Sequence, residues 1–127
     1  MANILIVEDE QALTNLLAEI FSTHQLAIAR DGEEGHEKSR ESRPDLIILD
    51  IGLPTLDGLT LCDLLKSDPE LKHVPVLILT GRGRIQDIED AFSRGADDYI
   101  VKLFSLRILE GRVEALLSPS PVLAATS

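Results

Sequence analysis

Short, unbroken apolar runs alternate along the chain with longer segments in which apolar residues recur every three or four positions. The apolar runs cover residues 4–7, 26–29, 46–49, 76–79 and 99–101. Because they are continuous and do not alternate with polar residues, they are typical of strands buried on both faces of a parallel sheet. The pattern therefore predicts five strands.

The segments between the runs predict helices. Helical spacing covers about 11–23, 85–93 and 105–117, and a further helix follows the loop through Pro54 and Gly58 and ends near Asp68 and Pro69. A polar segment at 33–42, stopped by Pro44, predicts a largely solvated helix. Gly95 marks the end of the fourth helix. The apolar stripes are Leu13, Leu16, Leu17, Ile20 and Phe21 in the first helix, Leu61, Leu64 and Leu65 in the third, and Leu106, Leu109, Val113, Leu116 and Leu117 in the fifth. Five successive β-α units predict the α/β class.

Four of the predicted strands end in a residue that can bind a metal or a phosphoryl group. These residues are Glu8 with Asp9, then Asp50, Thr80 and Lys102. In a parallel sheet covered by helices, the carboxyl ends of the strands meet and ligands bind there. We therefore expect three acids, a hydroxyl and an ammonium in one pocket.

Three clustered carboxylates repel each other and raise one another's pKa values unless a cation lies among them. Mg²⁺ prefers oxygen ligands, and the sequence has no grouping of Cys or His that suits zinc. Mg²⁺ is therefore the expected cofactor. With the metal and Lys102 screening the charge, one carboxylate can attack a phosphoryl group, and Thr80 can donate to one of its oxygens. The product is an acyl phosphate.

Composition narrows the function classes. The 127 residues suit one domain, and a net charge of -10 disfavours binding of nucleic acid or an anionic membrane. The single Cys62, the lack of an apolar run of bilayer length and the absence of a basic, signal-like amino terminus favour the cytoplasm. Residues 1–117 are expected to form the domain. Residues 118–127, with two prolines and no charge, predict a disordered tail or linker.

Over residues 3–117 the chain resembles the receiver domain of two-component response regulators, with the closest likeness to single-domain, chemotaxis-type members. The resemblance depends on the acidic pair Glu8 and Asp9, L-D-I-G-L-P-T-L-D-G around Asp50, Thr80 after the fourth strand, and G-A-D-D-Y-I-V-K ending at Lys102. It implies a flavodoxin-like, doubly wound, five-stranded parallel sheet of order 2-1-3-4-5 with five helices.

The resemblance also implies a role for each matching residue. Asp50 matches the phosphoacceptor, and Glu8, Asp9 and Asp50 match the metal-binding acids, with the Gly52 carbonyl as a further ligand. Thr80 and Tyr99 match the switch residues and Lys102 the ammonium of the site. The phosphoryl group would come from a histidine kinase or a phosphotransfer protein. A downstream effector protein would bind helix 4, strand 5 and helix 5. Such a domain catalyses only its own phosphoryl transfer and dephosphorylation, so no separate enzyme activity is expected.

One residue departs from the family pattern. The lysine is normally followed by proline with a cis bond between them, whereas Leu103 follows Lys102 here. A cis bond before a residue other than proline costs about 2.5–4 kcal/mol, so we expect a trans bond, a rearranged loop and slower phosphorylation. Gly52 and Arg82 lie two positions past Asp50 and Thr80, where the family tunes dephosphorylation.

Two other functions remain open at the level of sequence. D-I-G-L-P-T is superficially similar to the site of haloacid-dehalogenase phosphohydrolases, but that family needs an acid two positions after its nucleophile, where this chain has Gly52. A pseudo-receiver scaffold that binds partners without phosphorylation is the second alternative, and Leu103 keeps it open. Taken singly, Glu8 and Asp9 could also be a helix-capping acidic pair, and Asp50 or Thr80 a turn residue.

Overall fold

The computed structural model describes residues 1–118, in which five strands alternate with five helices. In chain order they are β1 (Asn3–Val7), α1 (Gln11–Ile20), β2 (Gln25–Ala29), α2 (Gly32–Ser42), β3 (Leu46–Leu49), α3 (Gly58–Ser67), β4 (Val76–Thr80), α4 (Ile85–Ser93), β5 (Asp98–Val101) and α5 (Leu106–Leu117). The predicted elements are all present, with bounds that agree for β3 and α4 and elsewhere differ by at most three residues. The largest difference is in α1, where residues 21–23 form a turn.

The strands form one parallel sheet of order β2-β1-β3-β4-β5, which confirms the predicted topology. The register aligns the strand ends: Val7 pairs with Leu49, Leu49 with Ile78, and Thr80 with Val101. Since all strands run in the same direction, the residues that follow them lie along one edge of the sheet. The fold thus places the predicted site at this edge.

The sheet is covered on both faces, and each face has its own apolar core. One core joins alternate residues of β1, β3 and β4 to α3, and the other joins the remaining strand residues to α1 and α5. Residues 4–7 of β1 and 46–49 of β3 are each at most 1% exposed. This two-sided burial explains why the central strands are apolar without alternation.

Three leucines in the predicted apolar stripes are exposed. Leu16, Leu64 and Leu106 keep 38%, 38% and 42% of their surface accessible. Helical spacing locates the centre of an apolar face but not its width, which depends on how closely the helix lies on the sheet. The sequence prediction was wrong for these three side chains, although it placed the helices correctly.

Ser118 is the only residue of the predicted tail that the structure describes, and residues 119–127 lie outside the described part. Within residues 1–118, the helices are too short and too polar for any of them to cross a membrane.

Candidate metal and phosphoacceptor site

Backbone hydrogen bonds fix the residues that follow the strands. Glu8 N–H donates to Ala29 O at 2.9 Å, and Asp50 N–H donates to Val7 O at 3.1 Å. These bonds continue the sheet ladder one residue past the ends of β1 and β3. The acids at the strand ends therefore have a backbone as rigid as the sheet itself.

The structure brings the three predicted acids together. Glu8, Asp9 and Asp50 each offer a carboxylate oxygen, and these oxygens all lie within 4.8 Å of one another. Glu8 and Asp50 are buried, with 3% and 8% of their surface exposed, whereas Asp9 faces solvent. The cluster offers only oxygen donors, which suits a hard divalent cation such as Mg²⁺ and does not suit zinc. The residues present therefore fit the expected ion.

The surroundings of Glu8 disfavour the ionised form of its carboxyl. Burial raises the pKa of the Glu8 carboxyl, and the charge of Asp50 raises it further. Hydrogen bonds from the Glu10 N–H and from Lys102 lower this pKa, but they do not outweigh the first two effects. A divalent cation would favour the ionised carboxyl and remove this cost.

Lys102 is the positive group of the site. Its Nζ lies 3.1 Å from Glu8 Oε1 and 3.2 Å from Asp50 Oδ2. Partial burial lowers the pKa of this ammonium, but its contacts with Glu8 and Asp50 outweigh burial, so the net pKa is raised. Lys102 therefore stays charged beside the phosphoacceptor candidate.

Glu10 is a site residue that the sequence analysis missed. Its carboxylate lies 3.8 Å from Lys102 Nζ, and its backbone N–H donates to Glu8 Oε2 at 3.0 Å. The first contact adds a further negative charge near Lys102, and the second holds the Glu8 side chain in place. The signal in the sequence was an acidic run of three residues, E-D-E, of which only the first two were used.

Gly52 lies exposed in the loop of residues 51–57 between β3 and α3, two positions after Asp50. A Cβ built on Gly52 would have Arg82 Nη2, at 3.7 Å, as its nearest neighbour. The loop ends at Gly58, whose N–H donates to Ile51 O at 2.8 Å. A Cβ on Gly58 would lie 2.0 Å from Asp50 O, so only glycine lets α3 pack directly on the backbone of Asp50.

Thr80 and Tyr99, the two predicted switch residues, both contact Arg82. Thr80 is buried, and its Oγ1 accepts from Arg82 N–H at 3.4 Å, while Tyr99 OH donates to Arg82 O at 2.6 Å. Burial raises the pKa of the Tyr99 phenol, so it remains a donor at neutral pH. The β4–α4 loop is therefore the physical link between the two residues.

Leu103 follows Lys102 through a trans peptide bond, as the sequence analysis predicted. Its backbone has a φ of 68°, and its side chain is fully exposed. For a residue with a Cβ, this left-handed conformation costs roughly 1–2 kcal/mol. The local strain lies next to the ammonium that contacts Asp50, while slower phosphorylation stays a prediction.

Known proteins resemble the chain in sequence and in fold. Residues 4–114 match the family model of the response regulator receiver domain. The DNA-binding dual master transcriptional regulator RpaA of Synechocystis sp. is 40% identical over 119 residues, covering 92% of this chain and 49% of that protein. The chain thus spans about half the length of the curated relatives it matches.

Solved structures of response regulators have a fold similar to that of this chain, as two examples show. The Mn²⁺-bound form of response regulator Rcp1 has a TM-score of 0.80 at 32% identity, covering 94% of this chain and 94% of that one. The phosphorylated cyanobacterial phytochrome response regulator RcpA has a TM-score of 0.84 at 33% identity, covering 94% and 96%. With the family match over most of its length, the chain belongs to the receiver domains of two-component response regulators.

Proposed function

We propose that the chain is a phosphorylation-activated signalling receiver in which Asp50 accepts a phosphoryl group from a histidine kinase or a phosphotransfer protein. The observation that carries this proposal is the position of Asp50. Its carboxylate lies within 4.8 Å of those of Glu8 and Asp9 and 3.2 Å from Lys102 Nζ. Asp50 therefore lies beside both a candidate cation site and an ammonium group.

In the proposed reaction, an Asp50 carboxylate oxygen forms a bond to phosphorus while the phosphorus–nitrogen bond of the donor phosphohistidine breaks. The leaving imidazole nitrogen keeps the electron pair and takes up a proton, and the product is an acyl phosphate. Lys102 screens the negative charge on the phosphoryl oxygens, and Thr80 donates a hydrogen bond to one of them.

Glu8, Asp9, Asp50 and the Gly52 carbonyl are the proposed ligands of Mg²⁺. When bound, this ion would neutralise the carboxylates and the charge of the incoming phosphoryl group. The geometry supports this assignment, because the buried Glu8 carboxylate is one of three whose oxygens all lie within 4.8 Å of one another.

The proposed output surface consists of α4, β5 and α5, and it would bind a downstream effector protein. Of the nine large apolar side chains that are exposed in residues 1–118, six lie between residues 85 and 108. They are Ile85, Phe92, Val101, Leu103, Leu106 and Ile108. Exposed apolar residues concentrated in and next to these three elements support a protein-binding face. Tyr99 joins this face to the site through Arg82.

The remaining proposals concern the cellular compartment, the classes of partner that are disfavoured, and the catalysis. We place the domain in the cytoplasm, and the net charge of -10 supports a receiver that does not itself bind nucleic acid or membrane. Its only proposed catalysis is transfer of a phosphoryl group to Asp50 and the later loss of that group.

The test is to incubate the protein with Mg²⁺ and acetyl phosphate and to record its intact mass. We expect one phosphoryl group on the wild type and none on Asp50→Asn. Asp63→Asn is the matched control, because Asp63 is an exposed aspartate whose partner Arg94 keeps a second contact with Asp90. An unmodified wild type would support a pseudo-receiver scaffold, and steady turnover of phosphate esters would support a hydrolase. Either result would overturn the proposal.

A further inference from the structure

The middle of the β3–α3 loop lies against the first turn of α2. This turn is distant from Asp50 in the sequence, since the rest of α2 and β3 lie between them. Gly32 N–H donates to Pro54 O at 3.1 Å. A Cβ on Gly32 would lie 2.0 Å from Leu56 O and 2.5 Å from Leu56 Cβ, whereas real Cβ contacts are essentially never under 3.0 Å. The contact is therefore backbone against backbone, and it requires glycine at position 32.

Thr55 makes a second connection between the same two segments. Its hydroxyl donates to Asp31 Oδ1 at 3.0 Å and accepts from Glu33 N–H at 3.2 Å. Its φ of 64° is a rare conformation for a β-branched residue. Strain of this kind persists only where the surroundings hold the backbone in place. Here the amino-terminal turn of α2 supplies that support.

The bond from Gly58 N–H to Ile51 O, at 2.8 Å, holds the end of the loop, whereas the other bonds inside it are local and do not hold its middle. Leu53 N–H donates to Ile51 O and Leu56 N–H donates to Pro54 O, so each bond spans only two residues. Mg²⁺ requires nearly ideal octahedral geometry, and a carbonyl ligand must therefore be held within a few tenths of an ångström. The contacts with α2 reach the loop two to four residues after Gly52.

We propose that Gly32 and Thr55 are positioning residues that hold the β3–α3 loop so that the Gly52 carbonyl, two residues after Asp50, keeps its position. This inference rests on the proposed function, because that carbonyl is one of the assigned metal ligands. It gives the turn between β2 and α2 a part in metal affinity, although none of its side chains belongs to the carboxylate cluster.

The first test compares Gly32→Ala with Gly35→Ala by calorimetric titration with Mg²⁺. Both glycines lie in α2 and both lack room for a Cβ, but Gly35 faces the core side chains of Val7 and Leu61 instead of the loop. Residues that support metal ligands indirectly typically contribute about 10–100-fold to affinity. We expect a loss of that size for Gly32→Ala, and for Gly35→Ala a loss of stability with unchanged Mg²⁺ affinity.

The second test needs no metal. Amide hydrogen exchange of Leu53, Leu56 and Gly58 reports the order of the loop in the metal-free protein, since all three amides donate bonds within it. We expect faster exchange at these amides in Gly32→Ala but not in Gly35→Ala. Thr55→Ala should also accelerate their exchange, and Thr55→Ser, which keeps the hydroxyl, should restore the wild-type rate.

The two tests separate this inference from the proposed function. If wild-type protein binds no Mg²⁺, the proposed metal site is wrong, and the exchange data alone decide whether α2 holds the loop. Normal Mg²⁺ affinity or normal loop exchange in a folded Gly32→Ala would overturn the positioning role. An equal loss of affinity in Gly35→Ala would overturn it as well, because the effect would then reflect general destabilisation.

Discussion

The two loops that flank Asp50 are built differently. The β3–α3 loop is held at its end by Gly58, which packs on the Asp50 backbone, and at its middle by Gly32. The β4–α4 loop, residues 81–84, is exposed throughout. A Cβ on Gly81 would meet nothing within 4 Å, and one on Gly83 would meet only the side chain of Val101.

This difference suits the two tasks that we propose for the pocket. A metal site needs ligands that do not move, and the clamped loop directly follows Asp50 and carries Gly52, a proposed ligand. A switch needs a segment with two accessible arrangements, and such segments have few packing contacts. The exposed β4–α4 loop carries Arg82, whose backbone contacts both Thr80 and Tyr99. The β3–α3 loop is therefore suited to holding a metal ligand in place, and the β4–α4 loop is suited to changing its conformation.

The largest expected effect comes from adding a methyl group at the clamped end. Gly58→Ala places a Cβ against Asp50 O, and overpacking of this kind costs about 1–3 kcal/mol. We expect a loss of about 3 kcal/mol in the free energy of unfolding, measured by urea denaturation, together with slower phosphorylation by acetyl phosphate. A loss below about 1 kcal/mol would mean that the loop yields easily and is not clamped.

Leu103→Pro tests the segment that follows Lys102. Proline requires a φ near −65°, whereas Leu103 has a φ of 68°, so the loop must change conformation. If the present conformation holds Lys102 less favourably for phosphoryl transfer, the variant is phosphorylated up to about tenfold faster, equivalent to about 1.4 kcal/mol in the barrier. Rates with acetyl phosphate provide the measurement, and equal rates for the two proteins would contradict this prediction.

A smaller effect, on the rate of dephosphorylation, is expected for Arg82→Ala in the β4–α4 loop. A Cβ built on Gly52, two residues after Asp50, would lie 3.7 Å from Arg82 Nη2. We expect this guanidinium to contact a phosphoryl oxygen on Asp50 and to hinder the approach of water. Because the side chain is exposed, its contribution is about 1 kcal/mol, and we expect dephosphorylation to be about fivefold faster. The decay of phosphorylated protein gives the rate. Arg84→Ala is the control, because Arg84 is an exposed arginine of the same loop but does not occupy the position two residues past Thr80, so its removal should leave the rate nearly unchanged.

The smallest effect is expected for Gly81→Ala, and it has the opposite sign from Gly58→Ala. Gly81 has room for a Cβ, and its φ is not in the left-handed region. Replacing glycine at a compatible position stabilises a protein by about 0.4–1 kcal/mol because the unfolded chain loses freedom. Urea denaturation should show a gain of this size. A measured loss would mean that the β4–α4 loop is more tightly packed than its exposure indicates.

Strand positions were predictable because burial on both faces of a sheet leaves an unbroken apolar run in the sequence. Helix positions were predictable because apolar residues recur there every three or four positions. The exposure of Leu16, Leu64 and Leu106 was not predictable, since periodicity does not report how much of a helix face its neighbours cover. Glu10 was missed for a related reason. Its place beside Lys102 depends on where the end of β5 lies relative to β1, and the two strands are not neighbours in the sheet.

By itself, the sequence determined the α/β alternation, the acids, hydroxyl and ammonium at the strand ends, and their resemblance to the receiver family. These features follow from local pattern and from the rule that parallel strands end at one edge. Only the tertiary structure decided that Gly32 and Gly58 hold the same loop, that Arg82 joins Thr80 to Tyr99, and that Leu103 has a strained backbone. Contacts of this kind join segments that are distant in the chain, and no local pattern encodes the distance between them.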